Sequence, residues 1–549
     1  MAVVEFSLHE LERLVGKTLT KNDIENIIPM IGCPLEKREG DKIFYEIFPN
    51  RPDLLSVEGF SRALRCFLGI SKKKSQYKTK PSKIKLTVDK SVKAVRPYVV
   101  CAVVRNVKIT EEVLISLIQM QEKIHDTFGR KRKKIAIGIH DLDKVSPDFV
   151  YKAVSPESIS FVPLDMKKKI NMKEILKSHP KGKDYAHLVE NHKKWPIILD
   201  KNNNVLSFPP IINGELTRVT EKTKNLFIDI TGTHEIAINQ TLNILVTSFA
   251  ERGFFIETVE VIDDKKIVTP DLDYSKIKVN LDYTNKLLDL DLKKDEFSSI
   301  IQKMDLYVEK TTGNSCDVLI PPYRVDIMHE IDIVEDVAIA MGYQQFQARL
   351  PRVPTIAERL EKNEERNLLS DVMIGLGFQE VITMLLTNDH NEFIKMNVKE
   401  SDVCRILNSV TKECNICRKG ILPSLLRVLT QNKHVEYPQN IFEIGECVVP
   451  DLKEETGARN MRNLCAAISD VQVSYEDISS KLDALFRNLG IKYSLKKTDH
   501  PSFISGRVAE IIVSGKSIGI IGEIHPMVLN NWNLEKPVVA FEINVERLK

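Results

Sequence analysis

Residues 321–343, "PPYRVDIMHEIDIVEDVAIAMGY", place a helix pattern directly after two prolines. Because prolines exclude a helix interior, the segment 319–326 is predicted to be extended. From Ile331 onward, apolar residues recur at spacings of three and four, which predicts a helix with one buried face. Gly342 is predicted to end this helix, because glycine readily takes the backbone conformation that closes many helices.

Four acids of this stretch are predicted to lie close together. Three have the spacing i, i+3, i+4 on the face opposite the apolar one, and a turn would bring the fourth to the same spot. They are Asp326, Asp332, Glu335 and Asp336. One interpretation is a solvated helix start, where the macrodipole stabilises acids. The other is a Mg²⁺ site, since this ion takes oxygen ligands and keeps several waters. Spacing alone leaves both interpretations open.

The composition limits the class of protein. A length of 549 residues is too great for one core, so about three to five domains are predicted. The net charge is only +3, so any nucleic-acid surface must be a local patch. No apolar run approaches the length of a membrane span, and the N-terminus lacks the layout of a signal peptide, which predicts a cytoplasmic protein without a membrane segment.

The cysteines indicate reduced thiols. Their number, nine, is odd, and they follow no disulfide framework. Cys414 and Cys417 have metal or redox spacing, but the absence of a second CxxC or a histidine pair argues against a zinc site.

Local patterns predict the main elements. Helices are expected over 7–15, 21–31 and 56–67, with Ser56 as an N-cap, and over 358–377. A strand followed by a helix is expected within 226–253, and strands over 378–386 and 439–449. The segments 71–83 and 348–354 have the composition of linkers.

Several stretches together resemble the beta subunit of phenylalanyl-tRNA synthetase, in its shorter archaeal and eukaryotic form. The resemblance runs in order along nearly the whole chain and is weakest over 145–200. It is carried by 49–65, 121–144, 206–233, 321–343 and 522–529.

The resemblance implies an α+β multidomain fold with four parts. They are an N-terminal module over 1–75, an editing-type (B3/B4) α/β domain over 84–266, a small B5-type helix-and-sheet module over 268–345, and a class II synthetase-like antiparallel sheet domain over 352–549. It also implies a catalytic alpha subunit as partner, in a heterotetramer of two chains of each kind. That assembly joins phenylalanine to tRNA(Phe) with ATP, both bound at the alpha subunit, and uses Mg²⁺. The family's Mg²⁺ ligands match Asp326, Asp332, Glu335 and Asp336.

The last domain lacks the arginines of a working class II site. Such a site holds ATP phosphate with an arginine in "fRxE" and another in "GxGxGxxR", because the guanidinium binds phosphate with two hydrogen bonds. Arg418 has no acid two residues later, and no arginine follows Gly519 and Gly522. Arg418 and Arg507 are therefore predicted to be structural, and this domain not to form an adenylate.

The stretch 206–233 is predicted to form the editing pocket. An apolar pocket rejects an analogue with one added hydroxyl only about a hundredfold, so discrimination against tyrosine needs a second, hydrolytic site. The candidate contacts are Ser207, Asn213, Asp229, Thr231 and Thr233. The alternative is that these residues only form turns and have no ligand. The stretch contains neither a catalytic triad nor a set of zinc ligands.

Other hypotheses stay open at this point. The basic run 130–134 is either a contact with RNA phosphate or a solvated turn. The chain as a whole could be a scaffold that binds tRNA and the alpha subunit without editing. A free-standing Mg²⁺-dependent hydrolase rests only on the acid cluster.

Overall fold

The computed structural model describes residues 2–350 and 353–548. The chain forms two compact units that divide between Leu350 and Pro351. This division falls in the predicted linker 348–354, of which Pro351 and Arg352 lie outside the described residues. Within residues 2–350 and 353–548, no helix is both long and apolar enough to cross a bilayer.

The first unit begins with a small three-stranded antiparallel sheet. Its strands are Ala2–Ser7, Lys42–Ile47 and Leu35–Glu39, and its helices are Leu8–Val15 and Val57–Phe67. Ser56 caps the second helix by accepting a hydrogen bond from the Gly59 amide, as predicted. The predicted helix 21–31 is confirmed as a helical segment, but it is not a regular α-helix: Asp23–Ile27 is π-helical and Ile28–Ile31 is a 3-10 turn, with Pro29 at the second position of the latter.

A ten-stranded mixed sheet forms the centre of the first unit. Nine strands follow one another in the order Ile212–Asn213, Val205–Phe208, Trp195–Asp200, Phe149–Val154, Thr79–Val88, Phe255–Ile262, Tyr98–Arg105, Asn225–Gly232 and Ile135–Asp141, and Lys266–Thr269 pairs beside Phe255–Ile262. Because the strand Thr79–Val88 begins inside the predicted linker 71–83, the linker is shorter than expected.

Two long helices pack on this sheet. Glu111–Asp126 and Glu235–Glu251 share one hydrophobic cluster with the strands, in which Leu117, Leu245 and Ile228 are buried. An insertion before Trp195–Asp200 holds the shorter helices Met172–Ser178 and Pro180–Tyr185 and the two-stranded ladder Ser160–Phe161 with Ile170–Asn171.

The opening stretch belongs to a small module at the end of the first unit. Its sheet has the order Ser275–Asn280, Ser315–Ile320 and Tyr307–Thr312, and its helices are Leu281–Leu288, Lys294–Gln302 and Glu330–Met341. The predicted helix and its end at Gly342, with φ +91°, are confirmed. The extended segment is shorter than predicted, because the strand ends at Ile320.

The second unit is a seven-stranded sheet with helices on both faces. Its order is Gln379–Glu380, Gln439–Pro450, Ala458–Ser469, Val538–Asn544, Lys516–Ile524, Phe503–Val513 and Tyr493–Lys497, antiparallel except for the first pair. The helices are Glu361–Gly375, Leu422–Gln431, Tyr475–Leu489 and Pro526–Asn531. The predicted strand 378–386 pairs with this sheet only at Gln379–Glu380; Leu386–Thr387 forms a separate ladder with Ile416–Cys417.

Candidate functional site

A cavity of about 470 Å³ lies on the large sheet of the first unit. Helix Glu111–Asp126, strands Ile135–Asp141 and Asn225–Gly232, and the loop 207–219 form its walls. Its lining mixes apolar and polar groups. The apolar ones include Leu114, Leu117, Ile118, Phe208, Ile212 and Val219. A cavity of this size and lining suits one small ligand with an apolar body and a few polar groups.

Four of the five predicted contacts line this cavity. They are Ser207, Asn213, Asp229 and Thr231. Ser207 and Asn213 lie opposite each other in neighbouring strands, which brings the two side chains to one wall. Thr233 lies outside the lining: its side chain is exposed and its hydroxyl donates to the Lys133 carbonyl.

Three of these side chains keep hydrogen-bonding capacity free for a ligand. The Ser207 hydroxyl is buried and has no partner in the described structure. The Asn213 amide makes one long bond of 3.4 Å to the Ile139 carbonyl. The Thr231 hydroxyl accepts from Arg96 Nε at 2.9 Å and can still donate its own hydrogen. All three side chains belong to the lining of one cavity, so a ligand bound there would meet these polar groups together.

The structure adds a residue that the sequence did not single out, His140. Its Nε2 lies 2.7 Å from Asp229 Oδ1, and its Nδ1 lies 2.8 Å from Thr217 Oγ1. Asp229 pairs directly with Gly138 across the two strands, so His140 is the diagonal neighbour on the same face. A Cβ at Gly138 would lie 2.5 Å from Asp229 Oδ1, so the missing side chain makes room for the contact. The sequence signal was a histidine two positions after a glycine in an apolar strand.

The opposite wall holds a second polar cluster around Glu122. Arg132 NH2 and Lys181 Nζ donate to its two oxygens at 2.9 and 3.0 Å. The His125 ring, then Arg132 and Lys181, lower the pKa of Glu122. Burial lowers the pKa of His125 to about 4, so its ring is neutral at pH 7.

One residue of the basic run 130–134, Arg132, is buried and belongs to this wall of the cavity. Arg132 is buried and donates to the carbonyls of Pro210 and Ile211 at 3.3 and 2.9 Å. Its backbone is left-handed, with φ +64°. Arg132 therefore supports the cavity loop and does not face solvent. The exposed members of the run are Arg130, Lys131 and Lys133.

The four acids of the opening stretch line one groove of the first unit. Two of them are already paired. Arg324 is buried and donates to Asp326 at 2.9 and 2.7 Å and to Asp336 at 2.7 Å. Burial alone would raise the pKa of Asp326, but the charge and hydrogen bonds of Arg324 outweigh it and lower the pKa to about 2. Burial raises the pKa of Asp336 in spite of the same arginine.

The other two acids differ from this pair. Asp332 Oδ2 accepts from the backbone amides of Met328 and His329 at 2.7 and 2.8 Å, so it caps the helix. Glu335 is exposed. Within the described ranges, no three His, Cys, Asp or Glu side chains are arranged to hold a metal ion. The Mg²⁺ assignment stays a prediction, with Asp332 Oδ1 and Glu335 as the oxygens that remain free.

In the second unit, Arg418 is occupied by internal contacts. Its guanidinium donates to Glu443 at 2.7 Å, to the Glu446 carbonyl at 2.9 Å and to Thr383 at 2.7 Å. Only 2% of the residue is exposed. Arg507 pairs with Glu523 at 2.6 Å on the strand Phe503–Val513. Arg418 thus has the buried partners of a structural residue, whereas 60% of the Arg507 side chain is exposed and its structural role stays a prediction.

Three family models match the chain in succession. They are the B3/4 domain over residues 95–254, the tRNA synthetase B5 domain over 277–343, and the phenylalanyl tRNA synthetase beta chain CLM domain over 346–545. A phenylalanine–tRNA ligase beta subunit of Methanocaldococcus jannaschii is 44% identical over 552 residues, covering 100% of both chains. The chain belongs to the phenylalanine–tRNA ligase beta-subunit family.

Further members of the beta-subunit family agree with this assignment. The Archaeoglobus fulgidus beta subunit is 44% identical, over 99% of this chain and 98% of its own. Among solved structures, an N-terminal fragment of the Pyrococcus horikoshii beta subunit is 40% identical and superposes with a TM-score of 0.60, covering 62% of this chain and 100% of the fragment. The α+β multidomain fold class predicted from the sequence is confirmed.

Proposed function

We propose that this chain is the beta subunit of a phenylalanine–tRNA ligase, which joins phenylalanine to tRNA(Phe) with ATP at a partner alpha subunit in an α2β2 assembly in the cytoplasm. In this assembly, the chain supports binding of tRNA and the alpha subunit. Its cavity hydrolyses tyrosyl-tRNA(Phe) made in error. Family membership supports the first part, and the cavity supports the second.

The observation that carries the editing proposal is the lining of the 470 Å³ cavity. Apolar side chains suit the aromatic ring, and the unpaired Ser207 hydroxyl with the weakly held Asn213 amide suit a phenolic hydroxyl. A scaffold without editing would not need a cavity that combines an apolar lining with polar groups on one wall. The intact cavity therefore favours editing over the scaffold alternative.

Asn213→Ala is expected to impair editing and to spare charging. Loss of one hydrogen bond to a neutral group costs about 0.5–1.5 kcal/mol, which corresponds to roughly 2- to 13-fold in rate. Deacylation of tyrosyl-tRNA(Phe) by the reconstituted complex should slow by that factor. Phenylalanine charging should stay near wild type, because the synthetic pocket lies in the other subunit.

Two results would contradict this role of Asn213. An equal fall in both activities would mean that the residue holds its turn together. Unchanged deacylation would mean that the tyrosine hydroxyl is recognised elsewhere. Thr233→Ala is a suitable control, because Thr233 lies just beyond the cavity lining.

The chain alone is expected to form no phenylalanyl-adenylate. Arg418 is fully engaged with Glu443, Glu446 and Thr383, so it is not available to bind ATP phosphate. ATP–pyrophosphate exchange should be absent for the purified chain and should appear when the alpha subunit is added. Exchange that persists in the chain freed of alpha subunit would overturn this assignment.

The acidic groove is proposed to hold Mg²⁺ through Glu335 and Asp332. This ion is commonly held by one or two carboxylates and keeps several waters, so two free carboxylates suit it. Asp326 and Asp336, held by Arg324, would add negative charge beside the ion. When bound, the ion would supply a local positive charge at this surface.

Asp332→Ala together with Glu335→Ala is expected to weaken Mg²⁺ binding in this groove. Removal of both free carboxylates leaves too little charge to offset dehydration of the ion. Calorimetric titration of the complex with Mg²⁺ measures the effect. Unchanged binding in the double variant would show that these acids form a solvated helix start.

A further inference from the structure

The rim of the 470 Å³ cavity has to receive the molecule that carries the ester. In the proposed substrate the tyrosyl group is attached to the 3′ end of a tRNA, whereas a cavity of this size holds one small ligand. The nucleotides next to the ester therefore stay outside, on the rim. Each nucleotide carries a phosphate with a negative charge, so a rim that binds this part of the tRNA needs exposed cations.

The insertion over residues 155–194 forms part of this rim. Two of its segments reach the cavity lining, one at Leu164 and the other at His179 and Lys181. The Leu164 amide donates to the Asn213 carbonyl at 2.9 Å. His179 Nδ1 accepts the Lys181 amide, so its Nε2 donates to the Leu164 carbonyl at 3.1 Å. These hydrogen bonds fix both segments of the insertion at the wall of the cavity.

The insertion is strongly basic for its length. It contains nine lysines, no arginine and five acidic residues, so its formal charge is +4, whereas the whole chain carries +3. The rest of the chain is therefore slightly negative, and its positive charge is concentrated beside the cavity. A local excess of one sign of charge attracts a polyanion to that part of a surface.

Three consecutive lysines of the insertion, Lys167, Lys168 and Lys169, follow the cavity residue Asp165 and are called the lysine rim below. An extended chain advances at most about 3.6 Å per residue, so their Cα atoms lie within roughly 7 to 14 Å of the Asp165 Cα. All three side chains are exposed, and none forms an ion pair with a residue in the described ranges. Lys173 of the same insertion, by contrast, pairs with Glu157 at 2.8 Å.

The acids that the insertion meets at the cavity already have cationic partners. Asp165 and Glu215 are both paired with Arg218. Glu122 accepts from Arg132 and from Lys181 of the insertion. These carboxylates therefore do not occupy the lysine rim, whose ammonium groups remain available to a phosphate.

A second group of exposed cations borders the same wall. Arg130, Lys131 and Lys133 flank the cavity residue Arg132 in sequence. The Arg132 guanidinium lies 4.6 Å from the centre of the Tyr185 ring, which belongs to the insertion. This contact brings the basic run 130–134 beside the insertion, so both basic segments adjoin one wall of the cavity.

We propose that the lysine rim binds phosphates at the 3′ end of the tRNA and thereby holds the ester at the cavity. This inference rests on the proposed editing function and assigns a part of its tRNA contact. Lysine suits this role, because its ammonium is a point charge that contacts phosphate without reading the base. The lysine rim therefore binds the end of the tRNA regardless of sequence, and the cavity selects the amino acid.

The triple variant Lys167→Ala, Lys168→Ala and Lys169→Ala in the reconstituted complex tests this role. Each phosphate contact to a single strand contributes about 0.7 to the slope of log affinity against log salt concentration, so three contacts contribute about 2. For deacylation of tyrosyl-tRNA(Phe), the salt dependence of kcat/KM should become shallower by about that slope. At a salt concentration of about 0.1 M, kcat/KM should fall roughly 10- to 100-fold. Phenylalanine charging should stay near wild type, because the synthetic pocket lies in the other subunit.

Two matched triple variants separate local charge from other effects. Arginine at the three positions of the lysine rim keeps the charge and also binds phosphate, so kcat/KM should stay within about threefold of wild type and the salt slope should be retained. The triple variant Lys90→Ala, Lys193→Ala and Lys194→Ala removes the same charge from exposed positions of the first unit that do not adjoin the cavity lining. It should leave both quantities unchanged.

Each contrary result has a distinct meaning. Unchanged kcat/KM and salt slope in the alanine variant, beside an active wild type, would overturn the role of the lysine rim alone and leave the editing function standing. An equal loss in the Lys90, Lys193 and Lys194 variant, an arginine variant as slow as the alanine variant, or an equal loss of charging would also overturn it. A wild-type complex that does not hydrolyse tyrosyl-tRNA(Phe) would overturn the proposed function and this inference together.

Discussion

Replacement of Arg324 by methionine is expected to lower the free energy of unfolding of the first unit by about 3–5 kcal/mol. Arg324 is 4% exposed and holds Asp326, Asp336 and the Met304 carbonyl. Without it, Asp326, Asp336 and the Met304 carbonyl lose their shared donor, and Arg51 is the cation that remains beside the two carboxylates. Removal of one partner of a buried ion pair destabilises the protein by more than the intact pair stabilises it, because the remaining charge is desolvated and unpaired.

The two tryptophans allow this measurement on the full chain. Trp195 lies in the first unit and Trp532 in the second, and the sequence has no other tryptophan. In a Trp532→Phe background, urea unfolding followed by Trp195 fluorescence reports the first unit. Arg349→Ala is the control: Arg349 pairs with Asp289, their side chains are 72% and 75% exposed, and such a pair contributes about 0–1 kcal/mol.

A second variant separates charge from packing at Arg324. If unpaired buried charge causes the loss, Arg324→Met with Asp326→Leu and Asp336→Leu should recover much of the stability, because apolar replacement of a whole buried cluster is often neutral. A triple variant as unstable as Arg324→Met would instead show that the shape of the guanidinium matters. An effect below about 1 kcal/mol in the single variant would contradict burial of the cluster.

The opening stretch shows how far sequence periodicity reaches. The helix Glu330–Met341 and its end at Gly342 follow from local spacing and were predicted. The pairing of Arg324 with Asp336 spans twelve residues and depends on how the turn folds back, so spacing did not indicate it. The spacing of residues along the chain predicts helices and strands, whereas an ion pair across a turn can be identified only from the tertiary structure.

The cavity shows the same division. Ser207, Asn213, Asp229 and Thr231 were predicted from a resemblance to known proteins and from turn chemistry, and they line one cavity. His140 was missed because its contact with Asp229 depends on the register of two strands that are far apart in sequence. A shift of one residue would turn the ring to the other face of the sheet.

The short strand at Gln379–Glu380 has a tertiary cause. The apolar run that follows predicted a strand over 378–386, yet Thr383 leaves the sheet to bond Arg418 and Glu443 at 2.7 and 2.5 Å. Arg418 is buried, so its hydrogen bonds must be satisfied locally. The hydrogen bond from the buried Arg418 guanidinium to Thr383 therefore outweighs the β propensity of the run 381–386.

Glu392 of the second unit is expected to make stability fall as the pH rises. Its side chain is buried, with Oε1 accepting the amides of Lys419 and Gly420 at 2.8 and 3.0 Å and Oε2 unpaired. Burial, with the nearby charge of Glu542, outweighs these two bonds and raises the pKa of Glu392 from 4.5 to about 7. The folded state therefore holds a proton that the unfolded state has already released.

This extra proton in the folded state determines the direction in which the free energy of unfolding changes with pH. The contribution is fully present below about pH 4.5, where both states are protonated, and it is lost as the pH rises to about 7. A pKa difference of this size corresponds to about 3 kcal/mol. Glu392→Gln keeps an oxygen for both amides and cannot ionise, so its free energy of unfolding relative to wild type should rise by about that amount between pH 4.5 and 8.

Urea unfolding followed by Trp532 fluorescence in a Trp195→Phe background measures this difference, because Trp532 is buried in the second unit. Other groups titrate over the same range, so the informative quantity is the difference between Glu392→Gln and its parent at each pH. Glu454→Gln, at an exposed position, serves as the matched control and should show no such rise. A flat difference for Glu392→Gln would mean that the carboxyl loses its proton at the same pH in both states. Burial beside Glu542 would then be offset by the two amide hydrogen bonds.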